Sequence, residues 1–415
     1  MTPDMKGFIL VSAIKILLIF IATLVGVAYM TLLERWVSAW MQDRIGPNRV
    51  GPKGLFQPIA DGIKNFAKEE TLPGGANKVM FILAPALAFM PAMMMSGVIP
   101  WAAPLPVHFD FVLPLLGRFS HDGLMPIQVA DLPIGFLWVL AIGSIGVYGI
   151  ALAGWSSNNK YSLLGGLRAS AQMVSYEVAM GMSLIPVLLL VGNVSFAAIV
   201  ASQQQGLWFI LPLFMSFFLF AVSGFAETNR APFDLPEAES ELVAGYHTEY
   251  SSFKFAMFFI AEYANLMTFC AVLTTLFFGG WDLPFTDWDQ TPGVLQTIVT
   301  GLAMFTKVAF GIFVVMWVRW TLPRFRYDQL MATGWKFMLP VALGYIVVMT
   351  LAIFAIDRLL PGLSGRIHQL LLFGVNLGLA YITFFLADRG FIISGSSRHT
   401  LPSTLEGASG ARGQG

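Results

Sequence analysis

The sequence predicts an all-α polytopic membrane protein with about nine transmembrane helices. Hydrophobic residues make up 56% of the 415 residues and charged residues only 12%, about half the share that soluble domains carry. The apolar runs are continuous over helical lengths and do not alternate, which disfavours a β-barrel. Nine runs are long enough to cross a bilayer: 8–33, 79–101, 132–154, 172–191, 207–226, 253–279, 295–320, 337–357 and 368–387.

Charge and cysteine content exclude several other classes of protein. Twenty-four Lys and Arg balance 24 Asp and Glu, so the basic excess of a nucleic-acid-binding protein is missing. One cysteine, Cys270, cannot form an internal disulfide, a four-thiolate iron–sulfur site or a c-type haem attachment. The five histidines fall in predicted loops or near span ends, away from the depth that a bis-histidine haem requires. Any electron transfer must therefore use a partner's cofactor or a diffusing carrier.

The first span and the distribution of basic residues predict the topology. The run 8–33 is too long for a signal peptide and no small-residue cleavage site follows it, so we expect a retained span. Basic residues are frequent in the first connection, whereas 192–206 and 280–294 contain no Lys or Arg. The positive-inside rule therefore predicts an outside N-terminus and a cytoplasmic first loop. We expect one membrane domain over 1–393 and a disordered cytoplasmic tail over 394–415.

The first cytoplasmic loop predicts a helix lying on the membrane surface. A turn-rich basic stretch over 44–52 precedes apolar residues that recur at helical spacing: Leu55, Phe56, Ile59, Ile63 and Phe66. Asp61, Lys64 and Lys68 occupy other positions, as in an amphipathic helix. Arg35 and Trp36, at the end of the first span, are either ordinary interface anchors or part of an opening for a lipid-like substrate. Periodicity alone leaves both interpretations open.

Three charged residues are predicted to lie within the membrane. Glu177 falls a quarter of the way into the fourth predicted span, Glu262 lies in the sixth and Lys307 in the middle of the seventh. Each costs at least ~2.5–3.5 kcal/mol in hydrocarbon, so we expect each to face protein or water. Burial raises the pKa of a carboxylate and lowers the pKa of a lysine, so that either group can take up and release protons near pH 7, as a proton relay requires. A buried Glu–Lys pair or an interfacial side chain is the plainer alternative.

The connection 227–249 is acidic although it lies on the predicted basic side. Six acidic residues face one basic residue, Arg230: Glu227, Asp234, Glu237, Glu239, Glu241 and Glu249. If Glu237 and Glu241 share a helix, their spacing places them on one face, where repulsion raises at least one pKa. Charge alone favours a solvated acidic loop. The apolar residues interleaved with these acids favour a buried or functional role.

Several ordered motifs give this sequence a family resemblance. They are Glu34-Arg35, Arg44-x-Gly46-Pro47-Asn48, Gln57-Pro58-x-Ala60-Asp61, Leu167-Arg168-Ala169-x-Ala171-Gln172, Ser175-Tyr176-Glu177, the run 226–234, Glu239-Ser240-Glu241-Leu242, Ala261-Glu262-Tyr263 and the run 323–331. Over residues 8–357, eight spans in order, the sequence resembles the quinone-site membrane subunit (the H subunit) of proton-pumping NADH:quinone oxidoreductase, respiratory complex I. The ninth span and the tail depart from the shorter members, and no function is assigned to them.

The resemblance implies roles for individual residues. Such a subunit anchors a hydrophilic redox arm and forms most of the tunnel by which quinone reaches an iron–sulfur cluster of a neighbouring subunit. The residues implied for the tunnel are Arg35, Trp36, Arg44, Asp61, Phe225, Glu227 and Arg230. Those implied for a proton relay are Glu177, Asp234, Glu237, Glu239, Glu241, Glu249 and Glu262, with Arg168 and Lys307 as supporting charges.

Cofactors and partners also follow from the resemblance. Quinone, either ubiquinone or menaquinone, is expected as the substrate, with no metal or covalent cofactor in this chain. NADH, FMN and iron–sulfur clusters belong to partner subunits. The expected partners are the quinone-site iron–sulfur subunits of the hydrophilic arm, the small and antiporter-like membrane subunits, and lipid. The expected location is a bacterial inner membrane or an equivalent energy-coupling membrane.

Three other functions remain open on the residues alone. A proton-coupled solute transporter would also use intramembrane carboxylates, although the sequence has no repeated half of the kind found in many transporters. A structural anchor for a redox module would use its charges for assembly only. The anchor subunit of a membrane-bound hydrogenase is a related possibility, against which Gly46-Pro47-Asn48 and the run 226–242 favour the quinone enzyme through resemblance.

Overall fold

The computed structural model describes residues 3–113, 117–237, 239–284, 286, 288–360 and 365–388. A π-helical segment, Thr333–Met338, joins the helices Tyr327–Ala332 and Leu339–Leu359. The helices are α1 (Pro3–Met41), α2 (Gln57–Ala67), α3 (Lys78–Met95), α4 (Gly135–Ser156), α5 (Lys160–Val191), α6 (Phe196–Gln204), α7 (Phe214–Glu227), α8 (Glu239–Leu242), α9 (Ser252–Phe277), α10 (Val294–Thr321), α11 (Tyr327–Ala332), α12 (Leu339–Leu359) and α13 (Gly365–Asp388).

The predicted fold class is confirmed. In the described part of the chain, eight helical segments are long and apolar enough to cross a membrane: α1, α3, α4, α5, α9, α10, the segment running from α11 through α12, and α13. The apolar helix α7 has only 14 residues and accounts for the remaining predicted span. The tail 394–415 lies outside the described residues.

Two predicted spans have different boundaries in the structure. The span expected over 207–226 is helical only from Phe214, because Pro212 has no N–H to donate and the preceding residues form turns. The span expected over 172–191 begins much earlier, at Lys160, where the Asn159 side chain accepts a hydrogen bond from the Tyr161 N–H. Glu177 therefore lies near the middle of a 32-residue helix, not a quarter of the way along a span.

A β-hairpin occupies part of the connection 102–131, between the second and third predicted spans. Strands β1 (Leu105–Leu113) and β2 (Gly117–Met125) pair antiparallel, with Leu105 opposite Met125. The Ser120 hydroxyl in β2 donates to the Asp4 carboxylate near the start of α1. The hairpin thus covers the N-terminal end of the first membrane helix.

Contacts between loops separate the molecule into two ends. At one end, which we call the basic end, the first loop and the segments 156–160, 228–251 and 321–332 meet. At the opposite end lie the hairpin, the segment 278–293 and the beginning of α10, where the Ala103 N–H donates to Thr300. The main hydrophobic core lies between these ends and is formed mostly by α3, α4, α5, α7 and α9.

The surface helix predicted in the first loop is present as α2. Its apolar side chains Ile59, Ile63 and Phe66 are 57%, 64% and 74% exposed, as expected for a helix whose apolar face meets lipid. On its other side, Asp61 is directed towards α1 and pairs with Arg35. The helix therefore forms one wall of the site described next.

Candidate functional site

A large cavity lies at the basic end between α1, α2 and α9, with a volume of about 520 Å³. Its wall is mainly apolar and aromatic: Leu24, Val27, Ala28, Phe66, Phe89, Phe253, Phe255, Met257, Phe259 and Ile260 belong to it. Arg35, Asp61 and Lys64 supply its charges, and the side chains of the first two form an ion pair of 2.8 Å. Such a lining suits a ligand with a polar group and a large apolar part.

A cluster of buried charges lies beside this cavity and is centred on Glu34. The Glu34 carboxylate is within 3.3 Å of the Arg230 guanidinium and also accepts a hydrogen bond from Arg319. Its third partner is the Tyr263 hydroxyl, which donates at 2.5 Å. Glu34 and Arg230 are 7% and 3% exposed, so most of these contacts are shielded from solvent.

Arg230 connects this cluster to α9. Its Nε lies 2.8 Å from Glu262 Oε1, and its guanidinium stacks 4.1 Å from the centre of the Tyr263 ring. Two carboxylates, Glu34 and Glu262, are therefore balanced by two guanidinium groups, Arg230 and Arg319. Neutrality lowers the cost of burying the four charges together.

The cavity and the charge cluster share elements of structure. Glu34 and Arg35 are consecutive on α1, and the first faces the cluster while the second lines the cavity. On α9, the ring of Phe259 lines the cavity and lies 4.8 Å from the ring of Tyr263, the Glu34 partner. A change of charge beside Arg35 in the cavity is thus only one residue along α1 from Glu34 in the cluster.

Two further carboxylates lie next to consecutive residues of α4. Glu177 on α5 accepts a hydrogen bond from the Ser144 hydroxyl. Glu227, the last residue of α7, lies next to Gly143, where an added Cβ would be 3.5 Å from Glu227 Oε1. Neighbouring positions of α4 therefore bring the two carboxylates close enough for their charges to interact.

Two small cavities adjoin Glu227. One, of about 30 Å³, lies between Glu227 and Glu262, and the other, of about 50 Å³, lies between Glu227 and Thr268; Asn265 lines both. Asn265 Oδ1 and Thr268 Oγ1 are buried without a hydrogen-bond partner among the described residues. Because about 10–15 Å³ of such volume holds one water, each cavity has room for a few.

Most acidic residues of the segment 227–249 whose side chains are described have a partner from another segment. Arg324 binds the Asp234 carboxylate in a bidentate pair of 2.7 and 2.8 Å, and Arg168 binds Glu241 at 2.7 Å. The Asn159 amide donates to Glu249 at 2.6 Å. These contacts tie the acidic segment to α5 and to the connection after α10.

The proposed helical pairing of Glu237 and Glu241 is not observed as one continuous helix. Glu237 ends a 3₁₀ turn, Leu235–Glu237, and Glu241 belongs to the separate short helix α8. The side chains of Glu237 and Glu239 lie outside the described residues. In the same segment, burial lowers the pKa of His247, although the nearby Glu262 charge acts in the opposite direction. The lowered pKa favours the neutral imidazole.

Of the seven residues implied for the tunnel, two line the large cavity, Arg35 and Asp61. Glu227 and Arg230 belong to the charged groups described above, and the other three lie elsewhere. Arg44 is exposed in the first loop and donates to Gln42 at 2.7 Å. The Trp36 indole donates to the Pro47 carbonyl at 3.3 Å and so fixes the turn of that loop. Phe225 lines a different cavity, of about 460 Å³, between α7, α9 and α10.

Lys307 makes its hydrogen bonds away from the carboxylates implied for the relay. Its ammonium group donates to the carbonyls of Phe278, Gly280 and Asp282, at 2.8, 2.9 and 2.6 Å, and lies 4.2 Å from the centre of the Trp208 ring. These carbonyls follow the C-terminus of α9, where a cation is favourable. Lys307 therefore holds the opposite end of α9 in place.

Three central residues of the charge cluster were given no role on the sequence alone: Glu34, Arg319 and Tyr263. Glu34 and Arg319 lie at the ends of apolar runs, where charged residues ordinarily mark the membrane boundary. Glu34 is separated from its three partners by 196 to 285 residues along the chain. The motif that contains Glu34 and Arg35 was the available signal, but only Arg35 was given a role.

Comparison with known proteins identifies the family. The sequence model described as NADH dehydrogenase matches residues 14–350, which include every described element of the cavity and the charge cluster. The chain belongs to the NADH dehydrogenase family. The resemblance inferred from its motifs is confirmed.

Curated relatives in the NADH dehydrogenase family are similar over most of this chain. The NADH-quinone oxidoreductase H subunit 2 of Koribacter versatilis is 52% identical over 349 residues, covering 83% of this chain and 97% of the relative. The H subunit of the Leptospira biflexa enzyme is 50% identical (84% and 96% covered), and H subunit 1 of the Cytophaga hutchinsonii enzyme is 48% identical (82% and 96% covered). With its apolar helices, this chain is a multi-pass membrane member of the family. The family match ends before α13, which is an additional C-terminal helix.

Proposed function

We propose that this chain is the membrane subunit of an NADH–quinone oxidoreductase, that it admits quinone at the basic end, and that it couples quinone reduction to proton translocation. The names of its relatives support the first part of the proposal. The observation that carries the rest is the neutral buried cluster of Glu34, Arg230, Glu262 and Arg319, which adjoins the large apolar cavity.

The cavity between α1, α2 and α9 is the proposed quinone site. Its aromatic and aliphatic lining suits an isoprenoid tail, and the Arg35–Asp61 pair can hydrogen-bond to a polar head group. The surface helix α2 presents its apolar side to lipid and its Asp61 to the cavity, so quinone can pass from the bilayer beneath it. Trp36 supports this opening indirectly by holding the first loop.

Electrons reach the quinone from a partner subunit. NADH, FMN and iron–sulfur clusters are assigned to the hydrophilic arm, and this chain supplies the membrane anchor and the opening for quinone. Within the described residues, no group of three or more His, Cys, Asp or Glu side chains can hold a metal ion. The small and antiporter-like membrane subunits are the proposed neighbours towards which protons or charge are passed.

Quinone reduction to quinol takes up two electrons and two protons. Loss of protons or gain of negative charge next to Asp61 alters the electrostatic potential at Glu34, which is one residue from Arg35 on α1. Arg230 transmits that change because its guanidinium contacts both Glu34 and Glu262. A pKa shift of one unit corresponds to about 1.4 kcal/mol, so several coupled groups can transmit a useful free energy.

The relay continues from Glu262 through Glu227 to Glu177. Waters in the two small cavities would bridge Glu262 to Glu227, with Asn265 and Thr268 as their protein partners. Glu227 and Glu177 lie next to consecutive residues of α4, Gly143 and Ser144. Asp234, Glu241 and Glu249 contribute by holding the acidic segment against the bundle, through Arg324, Arg168 and Asn159.

The experiment compares three variants of the assembled complex in membrane vesicles. Asp61→Asn is expected to raise the KM for quinone more than it lowers kcat, because the pair contacts the substrate head group. Glu227→Gln is expected to lower quinone reduction and proton translocation at least tenfold, with NADH oxidation by a water-soluble acceptor unchanged. Asp328→Asn, in an exposed ion pair with Arg326, is the control and should match the wild type.

Two results would contradict the proposal. Wild-type quinone reduction together with wild-type proton translocation in Glu227→Gln would remove that residue from the relay. An unchanged KM for quinone in Asp61→Asn would place the substrate elsewhere than in the α1–α2–α9 cavity.

A further inference from the structure

The additional helix α13 carries two polar side chains that are directed into the protein. Asn376 is fully buried and Gln369 is 7% exposed, whereas Tyr381, on another side of the helix, is 71% exposed. α13 begins after residue 350, where the family match ends, and no role in the proposed quinone and proton chemistry has been given to it. The buried amides indicate that it does more than fix the tail in the membrane.

The neighbouring segment 206–213 is a non-helical stretch between α6 and α7, in which Phe209, Pro212 and Leu213 are buried. Buried backbone N–H and C=O groups are almost always paired, so such a stretch needs partners from the surrounding protein. Gln203 supplies one of them, because its Oε1 accepts from the Phe209 N–H at 3.1 Å. The Ile210 N–H donates to the Phe277 carbonyl at 3.0 Å.

α13 supplies the next set of partners. Gln369 Oε1 accepts from the Leu207 N–H at 2.6 Å, and Asn376 Nδ2 donates to the Pro212 carbonyl at 2.7 Å. Asn376 Oδ1 also accepts from the Met215 N–H, at 3.4 Å, in the first turn of α7. The Tyr345 hydroxyl on α12 donates to the same oxygen at 2.8 Å and fixes the orientation of the amide.

We propose that Asn376 and Gln369 of α13 are positioning residues: they replace the hydrogen bonds that the interrupted helix at 206–213 cannot make and thereby fix the start of α7. A helix that only anchored the chain in the membrane would need neither amide. Burying an amide among apolar side chains without hydrogen bonds would cost free energy. Here the donor of Asn376 meets a carbonyl, and its acceptor meets an N–H and a hydroxyl. The match of donors to acceptors supports a specific docking site.

The consequence extends to the other end of α7. This helix has only 14 residues, and Glu227 is its last residue. At 1.5 Å per residue the two ends are about 20 Å apart, and a rigid helix passes an axial shift from one end to the other. α13 therefore sets the depth of Glu227 although it does not touch that residue. This step alone rests on the proposed role of Glu227.

Hydrogen–deuterium exchange of the purified complex tests the docking directly. Asn376→Leu and Gln369→Leu remove the amides, and Leu377→Ala, at a 49% exposed neighbour on α13, is the matched control. We expect the amides of residues 207–215 to exchange about tenfold faster in the Leu variants and at the wild-type rate in Leu377→Ala. Gln369→Glu keeps an acceptor for the Leu207 N–H and should restore slow exchange.

A milder variant keeps the test decisive if Asn376→Leu does not assemble. Tyr345→Phe removes one hydrogen bond from Asn376 and is expected to raise exchange of the Met215 amide about threefold. Wild-type exchange over 207–215 in the Tyr345 and Gln369 variants would overturn the proposal. Equal acceleration in Leu377→Ala would also overturn it, because any change in α13 would then suffice.

The coupling measurement separates this inference from the proposed relay. If α13 sets the depth of Glu227, variants with fast exchange should also show a shifted pH profile of proton translocation, with NADH oxidation by a soluble acceptor unchanged. Fast exchange with an unaltered pH profile would support the docking of α13 and contradict its influence on Glu227, while the role of Glu227 itself is tested by Glu227→Gln. Slow exchange with an altered profile would do the reverse.

Discussion

Glu34→Gln is the substitution that most directly tests the buried charge cluster. The change keeps the size of the side chain and leaves an oxygen that can accept from the Tyr263 hydroxyl, but it removes the negative charge. The cluster then holds Glu262 against Arg230 and Arg319, with a net charge of plus one. Arg230 is 3% exposed, so water cannot compensate for the missing charge.

The structure sets the size of the effect. At the 3.3 Å separation of Arg230 and Glu34, Coulomb's law with an effective dielectric constant of about 20 gives an attraction of about 5 kcal/mol. Removal of one partner from a buried ion pair typically costs about 3–5 kcal/mol. We therefore expect Glu34→Gln to destabilise the folded subunit by about 3–5 kcal/mol.

The assay is heat inactivation of the assembled complex at a fixed temperature, because large membrane complexes unfold irreversibly. If half of the lost free energy is felt in the unfolding barrier, inactivation becomes at least about tenfold faster. Asp328→Asn, whose ion pair with Arg326 is exposed, should change the rate by no more than about twofold. The double variant Glu34→Gln/Arg319→Gln restores neutrality and should be slower to inactivate than Glu34→Gln alone.

Two results would refute this reasoning. Equal inactivation rates for Glu34→Gln and Asp328→Asn would mean that the buried cluster contributes no more than a surface pair. If Arg319→Gln made the Glu34→Gln variant still less stable, charge balance would not be what holds the cluster together.

Two further predictions concern the opposite end of the molecule. Lys307→Met leaves the carbonyls of Phe278, Gly280 and Asp282 without their donor. We therefore expect the folded subunit to lose roughly 3 kcal/mol of stability and the yield of complex to fall. Normal yield with fewer protons translocated per NADH would instead assign Lys307 to the relay. Burial, assisted by the neighbouring Asp289 charge, raises the pKa of Asp282 to about 6, so its contribution to stability is fully present below its ordinary pKa of 3.8 and is lost as the pH rises through 6. Asp282→Asn should flatten the dependence of heat inactivation on pH between about 4 and 6, and an unchanged slope would contradict the assignment.

Hydropathy predicts the scaffold because it reports on local properties of the chain. The long spans and the surface helix α2 follow from runs of apolar residues and their spacing, and the structure has them. The hairpin was missed although Leu105, Val107, Phe109 and Phe111 alternate with other residues, the pattern of a strand. Short strands outside the membrane give a weaker signal than the apolar runs that surround them.

The interruption before α7 shows a second limit of local reasoning. Residues 207–213 are apolar enough to be counted as part of a span, and only Pro212 indicated a break. What allows the break is the set of amides on α6 and α13, which lie elsewhere in the sequence. A hydropathy window cannot register a partner of that kind.

The charge cluster shows why site residues are harder to predict than spans. Glu34, Arg230, Glu262 and Arg319 come from four separate segments, and each alone resembles a boundary charge or an isolated buried charge. Their meaning depends on their mutual distance, which the sequence does not contain. The acidic segment illustrates the converse, because its charge excess is offset by Arg168 on α5 and by Arg324 in the connection after α10.

The geometry also bears on how coupling would act. Side chains of consecutive residues on a helix diverge by about 100°, which is why Glu34 meets the cluster while Arg35 meets the cavity. Glu34 has three partners, so a large movement of its side chain would break contacts worth several kcal/mol. An electric field crosses this junction without moving a side chain, whereas a mechanical signal must first disrupt it. We therefore expect the cluster to respond to quinone chemistry through protonation, with Arg230 kept between Glu34 and Glu262 throughout.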